Sequence, residues 1–178
     1  MDLQKTDIED LYIIQLKPHT DNRGSSLKTF SEKEFSDAGI PFHVAEVYHS
    51  YTEKRGTIRG MHFQRAPRAQ GKIVSCTKGT IYDVVADIRD GSPSFGAWLS
   101  FELIGGEHTV LYIPKGCAHG FQTLTDMCEV EYFMSDLYAP EYEGGVRWDD
   151  PLLHIEWPVA HPTVISQRDA ALPLLVSH

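Results

Sequence analysis

Short runs of β-branched and aromatic residues, separated by turn residues about every ten positions, dominate the chain between residues 42 and 138. This pattern is typical of antiparallel strands, and many strands joined by such turns predict a sandwich, a jelly roll or a closed barrel. The runs read HVAEVYHS, GTIRGMHFQ, KIVSCTKGTIYDVVADIR, WLSFELI, HTVLYIP, HGFQTLT and CEVEYFMSD. Within the third run, TKGT at 77–80 predicts a β-hairpin.

Helical signals occur only toward the two ends of the chain. SEKEFSDAGI at 31–40 offers a Ser cap, Glu in the first turn and Gly near the end. SQRDAALPLL at 166–175 offers a weaker version of the same signals. The sequence therefore predicts an all-β fold with short helices near its N- and C-terminal ends.

Length and composition indicate one ordinary globular domain over residues 1–178. Apolar residues make up 42% and charged residues 23%, and no repeat, low-complexity tract or linker divides the chain. The net charge of −9 repels nucleic acid and anionic membranes, so neither is an expected partner. An anionic ligand would have to be held by local Arg and Lys side chains.

The cysteines and the N-terminal residues indicate a reducing compartment. Cys76, Cys117 and Cys128 are odd in number and form no C-x-x-C pair, which argues against a disulfide framework and a zinc ribbon. The N-terminal segment is acidic and polar, and its apolar run is shorter than a signal sequence or a membrane span. We expect a cytoplasmic protein.

The segment TIRGMHFQ at 57–64 carries an Arg and a His within a strand pattern. Regular alternation would place Arg59 and His62 on opposite faces of the strand, with Gly60 and Gln64 on the face of His62. A β-bulge at Gly60 would re-aim the next side chain and bring Arg59 and His62 together. We take this bulge as a hypothesis.

Further polar residues of the strand region could join this pair in one cavity. They are Lys72, His119, Tyr132 and Tyr138. Such a set would be an odd structural core, because buried charges are costly unless they are paired, but it suits an anionic ligand beside an acid–base site. The histidines lack H-x-H or H-x-x-x-H spacing, so no metal is expected.

Six motifs in this order resemble the dTDP-4-dehydrorhamnose 3,5-epimerase family, the sugar-nucleotide epimerases of the cupin fold. They are DNRGSS, IRGMHFQ, QGKIVSCTKGTIYDVVADIRDGSPSFGAW, YIPKGCAHGF, YAPEYEGGVRWDDP and IEWP, and the likeness runs from about Asp21 to Asp169. The resemblance implies a cupin-type jelly-roll β-barrel. It also implies epimerisation at C3, C5 or both of a nucleotide-diphosphate 4-keto-6-deoxy sugar, with neither metal nor organic cofactor.

The resemblance assigns catalytic roles to individual residues. His62 matches the base that removes a proton next to the C4 carbonyl, and Asp169 matches the carboxylate that orients it. Tyr132 matches the acid on the other side of the sugar ring. Lys72, together with His119, matches the groups near the enolate oxygen.

The resemblance also implies binding residues and a homodimer. Arg59 and Arg23 match diphosphate contacts, and the Arg23 region is expected to reach the site of the neighbouring subunit. Tyr138 matches a residue that packs on the nucleotide. We also expect Gln64, on the strand of His62, to contact the substrate.

The sequence departs from the family where the family contacts the nucleotide base and the sugar. Ser25, Ser26 and Lys28 replace aromatic residues and a Glu, and Val47, His49 and Tyr51 replace a Q-x-N-x-S pattern. A nucleotide other than dTDP, such as CDP or GDP, therefore stays open. So do inversion at C3 alone or C5 alone, a keto-isomerase, and a sugar-nucleotide-binding module without catalysis.

Overall fold

A computed structural model describes residues 1–175, and most of its regular structure is β-strand. The strands are β1 (Asp2–Lys5), β2 (Tyr12–Gln15), β3 (His19–Asp21), β4 (Gly24–Ser26), β5 (Glu46–Thr52), β6 (Thr57–Gln64), β7 (Lys72–Lys78), β8 (Thr80–Asp87), β9 (Trp98–Ile104), β10 (Thr109–Ile113), β11 (Cys117–Thr123), β12 (Cys128–Met134), β13 (Glu143–Gly145) and β14 (Val164–Ile165). The helices are α1 (Glu32–Asp37), α2 (Gln167–Ala170) and a 3₁₀ turn (Pro140–Tyr142). The predicted all-β fold with short helices near both ends is confirmed.

The strands form two large sheets. The first has the order β1-β2-β10-β7-β12-β5, and the second has the order β13-β6-β11-β8-β9, with β14 parallel to the other end of β6. The remaining β3 and β4 form a separate hairpin. Within residues 1–175, no backbone ladder joins the two large sheets, so they are the two layers of a sandwich.

The hydrophobic core lies between the two large sheets. The β-branched residues that predicted the strands supply alternate inward-facing side chains from both layers. The first sheet contributes Val74, Leu111 and Val130, and the second contributes Ile81, Val85, Leu103 and Phe121. The antiparallel ladders and this shared core fix where the polar residues of β6, β7, β11 and β12 lie.

The helix signal at residue 31 is confirmed, and the hairpin signal at 77–80 is wrong. Ser31 caps α1 by accepting a hydrogen bond from the Glu34 N–H at 3.5 Å, and Gly39 follows the helix with φ of 83°. Gly79 does make a turn, with φ of 78°, but β7 and β8 belong to different sheets. Turn residues specify the local bend and leave open whether the next strand pairs with the previous one.

Candidate active site

A cavity of about 610 Å³ opens beside β6 and takes side chains from both sheets, which is a volume typical of small-molecule sites. The first sheet contributes Ser50 and Tyr48 from β5, Lys72 from β7 and Tyr132 from β12. The second sheet contributes residues of β6, β11 and β13, and α2 contributes two more. Among the residues that line it are Arg59, His62, Gln64, His119, Tyr138, Glu143, Arg168 and Asp169.

A bulge in β6 puts Arg59 and His62 in the same cavity. His62 lies opposite His119 in the ladder and Arg59 lies opposite Phe121, so two residues of β6 face one residue of β11. Gly60 has φ of 131°, and a Cβ added there would lie 2.5 Å from the Cα of Gly120. Only glycine fits this position. The bulge hypothesis is therefore confirmed.

His62 and Asp169 form a hydrogen-bonded dyad. The His62 Nε2 atom lies 2.8 Å from Asp169 Oδ1, and Asp169 Oδ2 accepts the Gly60 N–H at 3.1 Å. The Asp169 N–H in turn donates to the Ser166 hydroxyl at 3.0 Å, which caps α2. The side chain of Asp169 is only 8% exposed, whereas that of His62 is 32% exposed. The imidazole therefore faces the cavity from a rigid support.

The surroundings of Asp169 keep its carboxyl group ionised. Burial alone would raise its pKa, but the hydrogen bond with His62, the charge of that ring and the Gly60 N–H together hold the pKa below its ordinary value. An ionised Asp169 accepts the proton on Nε2 of His62. In the neutral form of the ring, the other nitrogen, Nδ1, is then the one without a proton.

Lys72 and His119 occupy the buried part of the cavity. The Lys72 ammonium donates a hydrogen bond to the His62 carbonyl at 3.2 Å, and burial lowers its pKa to about 8. His119 Nε2 lies 2.9 Å from Asp83 Oδ2, with both side chains almost wholly buried. Burial also lowers the pKa of His119, although the negative charge of Asp83 acts in the opposite direction. At neutral pH this part of the cavity holds one ammonium group.

Tyr132 packs against His119 and presents its hydroxyl to the cavity. The two rings meet edge to face with centroids 6.2 Å apart, and the Tyr132 hydroxyl lies 3.4 Å from the Ser50 hydroxyl. Burial raises the pKa of Tyr132 above its ordinary value, even though the bond with Ser50 acts the other way. The phenol is therefore a protonated acid at neutral pH.

Arg59 and Tyr138 lie at the more exposed part of the cavity wall. The Arg59 guanidinium donates from Nε to the Thr52 hydroxyl at 2.9 Å and from Nη2 to the Tyr51 carbonyl at 3.1 Å. The Tyr138 hydroxyl donates to Glu143 at 2.6 Å. Both acceptors of Arg59 are uncharged oxygens, so its charge is available to an anion.

Two predicted binding residues have other contacts. Arg23 lies outside the cavity in the β3–β4 hairpin, where it pairs with Asp21 and its side chain is 85% exposed. Gln64 lines the cavity, but its amide donates to the carbonyls of Arg68 and Leu137 and accepts the Ala139 N–H at 3.0 Å. Gln64 thus ties β6 to the following loop. A substrate contact for either residue stays a prediction.

The sequence analysis missed two charged residues of the cavity, Glu143 and Arg168, and one buried carboxylate behind it, Asp83. Asp83 interrupts the inward-facing positions Ile81 and Val85 of β8, and a lone carboxylate on an apolar strand face was a readable signal. Glu143 and Arg168 pair with each other across the cavity mouth. These last two come from a three-residue strand and a four-residue helix, which are too short to leave a periodic signal.

Across residues 1–175, no three His, Cys, Asp or Glu side chains come together as a metal-binding group, and the metal-free site stays a prediction. The helices described here are all far too short to cross a membrane.

Comparison with known proteins gives consistent matches along nearly the whole chain. Residues 5–177 match the family model described as dTDP-4-dehydrorhamnose 3,5-epimerase. The Salmonella typhimurium enzyme of that name is 39% identical over 172 residues, which cover 96% of this chain and 93% of the relative. The matches confirm the predicted family and its class of enzyme, an isomerase of deoxysugar biosynthesis.

Two solved structures show the same architecture. The Bacillus anthracis dTDP-4-dehydrorhamnose 3,5-epimerase with TDP and PPi bound is 36% identical, with a TM-score of 0.94 and coverage of 98% of this chain and 99% of that one. ChmJ, a 3'-monoepimerase from Streptomyces bikiniensis in complex with dTDP-quinovose, is 36% identical, with a TM-score of 0.88 and coverage of 96% and 86%. The cupin-type fold is thus confirmed, and the chain belongs to the dTDP-4-dehydrorhamnose 3,5-epimerase family.

Proposed function

We propose that this protein inverts C3, C5 or both of a nucleotide-linked 4-keto-6-deoxyhexose, with dTDP as the first choice of nucleotide. One observation carries the proposal. A His–Asp dyad, a protonated phenol and a buried ammonium group lie on the walls of a single cavity. These are the groups that a proton abstraction next to a ketone requires.

The dyad supports His62 as the base. The C4 carbonyl of the sugar acidifies the C–H bonds at C3 and C5, so a moderate base can remove either proton. With its Nε2 proton directed at Asp169, neutral His62 has a lone pair on Nδ1 for that proton. The negative charge of Asp169 then stabilises the imidazolium that forms.

Lys72, His119 and Tyr132 support the next two steps. As the proton leaves, negative charge develops on the C4 oxygen, and a preorganised ammonium group in a water-poor site lowers the free energy of that state. Lys72 supplies this charge, and His119 lies beside it. Tyr132 stays protonated by virtue of its burial and so can return a proton to carbon.

Arg59 and Arg168 support a diphosphate at the cavity mouth. Both guanidinium groups line the cavity, and guanidinium is suited to paired phosphate oxygens. Binding of a diphosphate by Arg168 would compete with its present partner, Glu143. The TDP and PPi in the Bacillus anthracis relative favour a dTDP sugar over a CDP or GDP sugar.

We infer that the protein works as a homodimer. Strand β5 is the edge of the first sheet, and it exposes Val47 and Tyr51 at 55% and 47%. An apolar edge strand of this kind is a surface that a second sheet can cover. Arg23 does not line the cavity of its own chain, so its side chain could reach the site of a partner subunit.

The assay is turnover of dTDP-4-keto-6-deoxy-D-glucose, followed by the ¹H couplings of the sugar ring, with the CDP and GDP forms in parallel. We expect inverted product from the dTDP form and at least about 100-fold less with His62→Ala. His43→Ala is the matched control, since His43 is an exposed histidine outside the cavity. Tight binding of all three nucleotides without any inversion would instead establish a binding module.

The number of inverted carbons is read from the same spectra. ChmJ, named a 3'-monoepimerase, has the same fold at a similar identity to this chain as the 3,5-epimerase from Bacillus anthracis. Neither the fold nor the sequence identity therefore distinguishes inversion at C3 alone from inversion at both C3 and C5. The product couplings at C3 and at C5 decide between them.

A further inference from the structure

Asp83 is a wholly buried carboxylate behind the cavity. Its Oδ2 atom binds His119 at 2.9 Å, but its Oδ1 atom has no hydrogen-bond partner. Within residues 1–175, only one other buried side-chain atom, Nε of Arg68, is without a partner. A buried carboxylate oxygen without a donor is costly and calls for a compensating charge.

The nearby cation is Lys72, and contiguous contacts connect it to Asp83. The Lys72 ammonium binds the His62 carbonyl, His62 lies opposite His119 in the ladder, and His119 binds Asp83. The ionisable groups that surround Lys72 come from five strands: Asp83 on β8, His62 on β6, His119 on β11, Tyr132 on β12 and Glu143 on β13.

The two carboxylates that line the cavity are already paired. Asp169 binds His62 and the Gly60 N–H, and Glu143 binds Arg168 and the Tyr138 hydroxyl. The charge of Glu143 also raises the pKa of Lys72, but less than that of Asp83 does, and it is shared with Arg168. Asp83 is left as the buried carboxylate with an uncommitted oxygen.

We propose that Asp83 is a positioning residue whose charge keeps Lys72 protonated and holds His119 in one orientation beside the reacting carbonyl. This inference rests on the proposed function, in which Lys72 stabilises the enolate. Burial pushes the pKa of Lys72 down to about 8, and the negative charge of Asp83 is the first influence that opposes the fall. Without Asp83, Lys72 would lose its proton at a lower pH.

Asp83→Asn tests the charge while keeping the shape and an oxygen acceptor for His119. In the unmodified protein we expect kcat/KM to fall as the pH rises through about 8, because Lys72 loses its proton there. In Asp83→Asn the fall should begin about one pH unit lower or more. The kcat/KM of this variant at pH 8 should then be about 10-fold lower than the value projected from pH 6, where Lys72 still has its proton. The same alkaline limb in both proteins would overturn the proposal.

Asp87→Asn is the matched control. Asp87 lies on the same strand with equal burial, but its carboxylate binds Arg89 outside the cavity. This variant should lower stability without moving the alkaline limb. A limb that moved equally in Asp87→Asn would show that loosening of β8, rather than the charge of Asp83, is responsible.

A stability comparison decides the proposal even if Asp83→Asn folds poorly. Asp83→Asn leaves the buried ammonium of Lys72 without its counter-charge, and adding Lys72→Met removes that ammonium. The double variant should unfold at a higher urea concentration than Asp83→Asn alone. An equal or lower midpoint would overturn the proposal. This outcome needs no turnover, so an inactive unmodified protein would count only against the proposed function.

Discussion

At the scale of single residues, the orientation of His62 depends on a side chain 107 positions away in sequence. Asp169 lies in a four-residue helix, where Ser166 and the Gly60 N–H hold it against the imidazole. This support leaves Nδ1 of His62 as the ring nitrogen that is free to act as the proposed base. Asp169 thus orients the imidazole ring and also places a negative charge beside it.

Replacing Asp169 by Asn should separate geometry from charge. An Asn amide that points its NH₂ at His62 would favour the tautomer with the proton on Nδ1, so the base would have no lone pair for the sugar. We expect kcat to fall by about 10²- to 10⁴-fold with little change in KM. Steady-state kinetics measure the split.

Asp37→Asn serves as the comparison for that variant. Asp37 is an exposed helical Asp that pairs with Lys33 far from the cavity, and its loss should leave kcat unchanged. A kcat for Asp169→Asn within a few-fold of the unmodified protein would show that the Asp169 side chain serves only to hold β6 through the Gly60 N–H.

At the scale of elements, the site depends on the irregular point in β6. Gly60 lets the strand take an extra residue, so that the side chains of Arg59 and His62 both enter the cavity. The bulge lies between the stretch of β6 that pairs with β14 and the stretch that pairs with β13. The carbonyl of His62 in turn holds Lys72. One glycine therefore positions groups with three different proposed roles.

Gly60→Ala should be strongly destabilising. The new methyl group would meet the Gly120 backbone at 2.5 Å, and the φ of 131° is strained for any L side chain. We expect a loss of roughly 3 kcal/mol in the free energy of unfolding, measured in urea. Gly106→Ala has φ of 90° but open space around it, and should cost about 1–2 kcal/mol. Equal losses in the two variants would mean that close packing at the bulge is unimportant.

Local sequence patterns predicted the elements well and their pairing poorly. Alternation and turn residues located the main strands, and the Ser31 cap located α1. The TKGT turn gave no warning that the chain crosses from one sheet to the other, because its dihedral angles serve either path. The same limit applies to Asp83 and His119, whose contact depends on the ladder between β8 and β11.

Physical reasoning from single residues also recovered part of the site. The bulge at Gly60 was a hypothesis for how Arg59 and His62 could share a cavity, because glycine most readily takes the dihedral angles of an extra residue. The partners of Gln64 could not be foreseen, since they are backbone atoms of a later loop. Arg168 and Glu143 meet only because α2 and β13 both reach the cavity mouth.

At the scale of the whole molecule, the proposed homodimer would complete each cavity with the partner's Arg23. Co-expression of Arg23→Ala and His62→Ala chains tests this arrangement. Each mixed dimer would then have one complete site, in which the cavity of the Arg23→Ala chain receives Arg23 from the His62→Ala chain. With random pairing, the mixture should recover about one quarter of the activity of the unmodified protein.

The two parent dimers provide the baseline for that mixture. If Arg23 served the cavity of its own chain, no mixed dimer would have a complete site, and activity would stay at the level of the parents. The activity should be measured at a low substrate concentration, because loss of a phosphate contact mainly weakens substrate binding.

Solvent deuterium incorporation, followed by NMR on dTDP-4-keto-6-deoxy-D-glucose, tests the central claim most directly, because it detects the C–H bond that His62 is proposed to break. The unmodified protein should place deuterium at C3, C5 or both, and His62→Ala should reduce the rate by at least about 100-fold. Deuterium entering at the same rate in His62→Ala, or no deuterium in the unmodified protein, would contradict the assignment of His62 as the base.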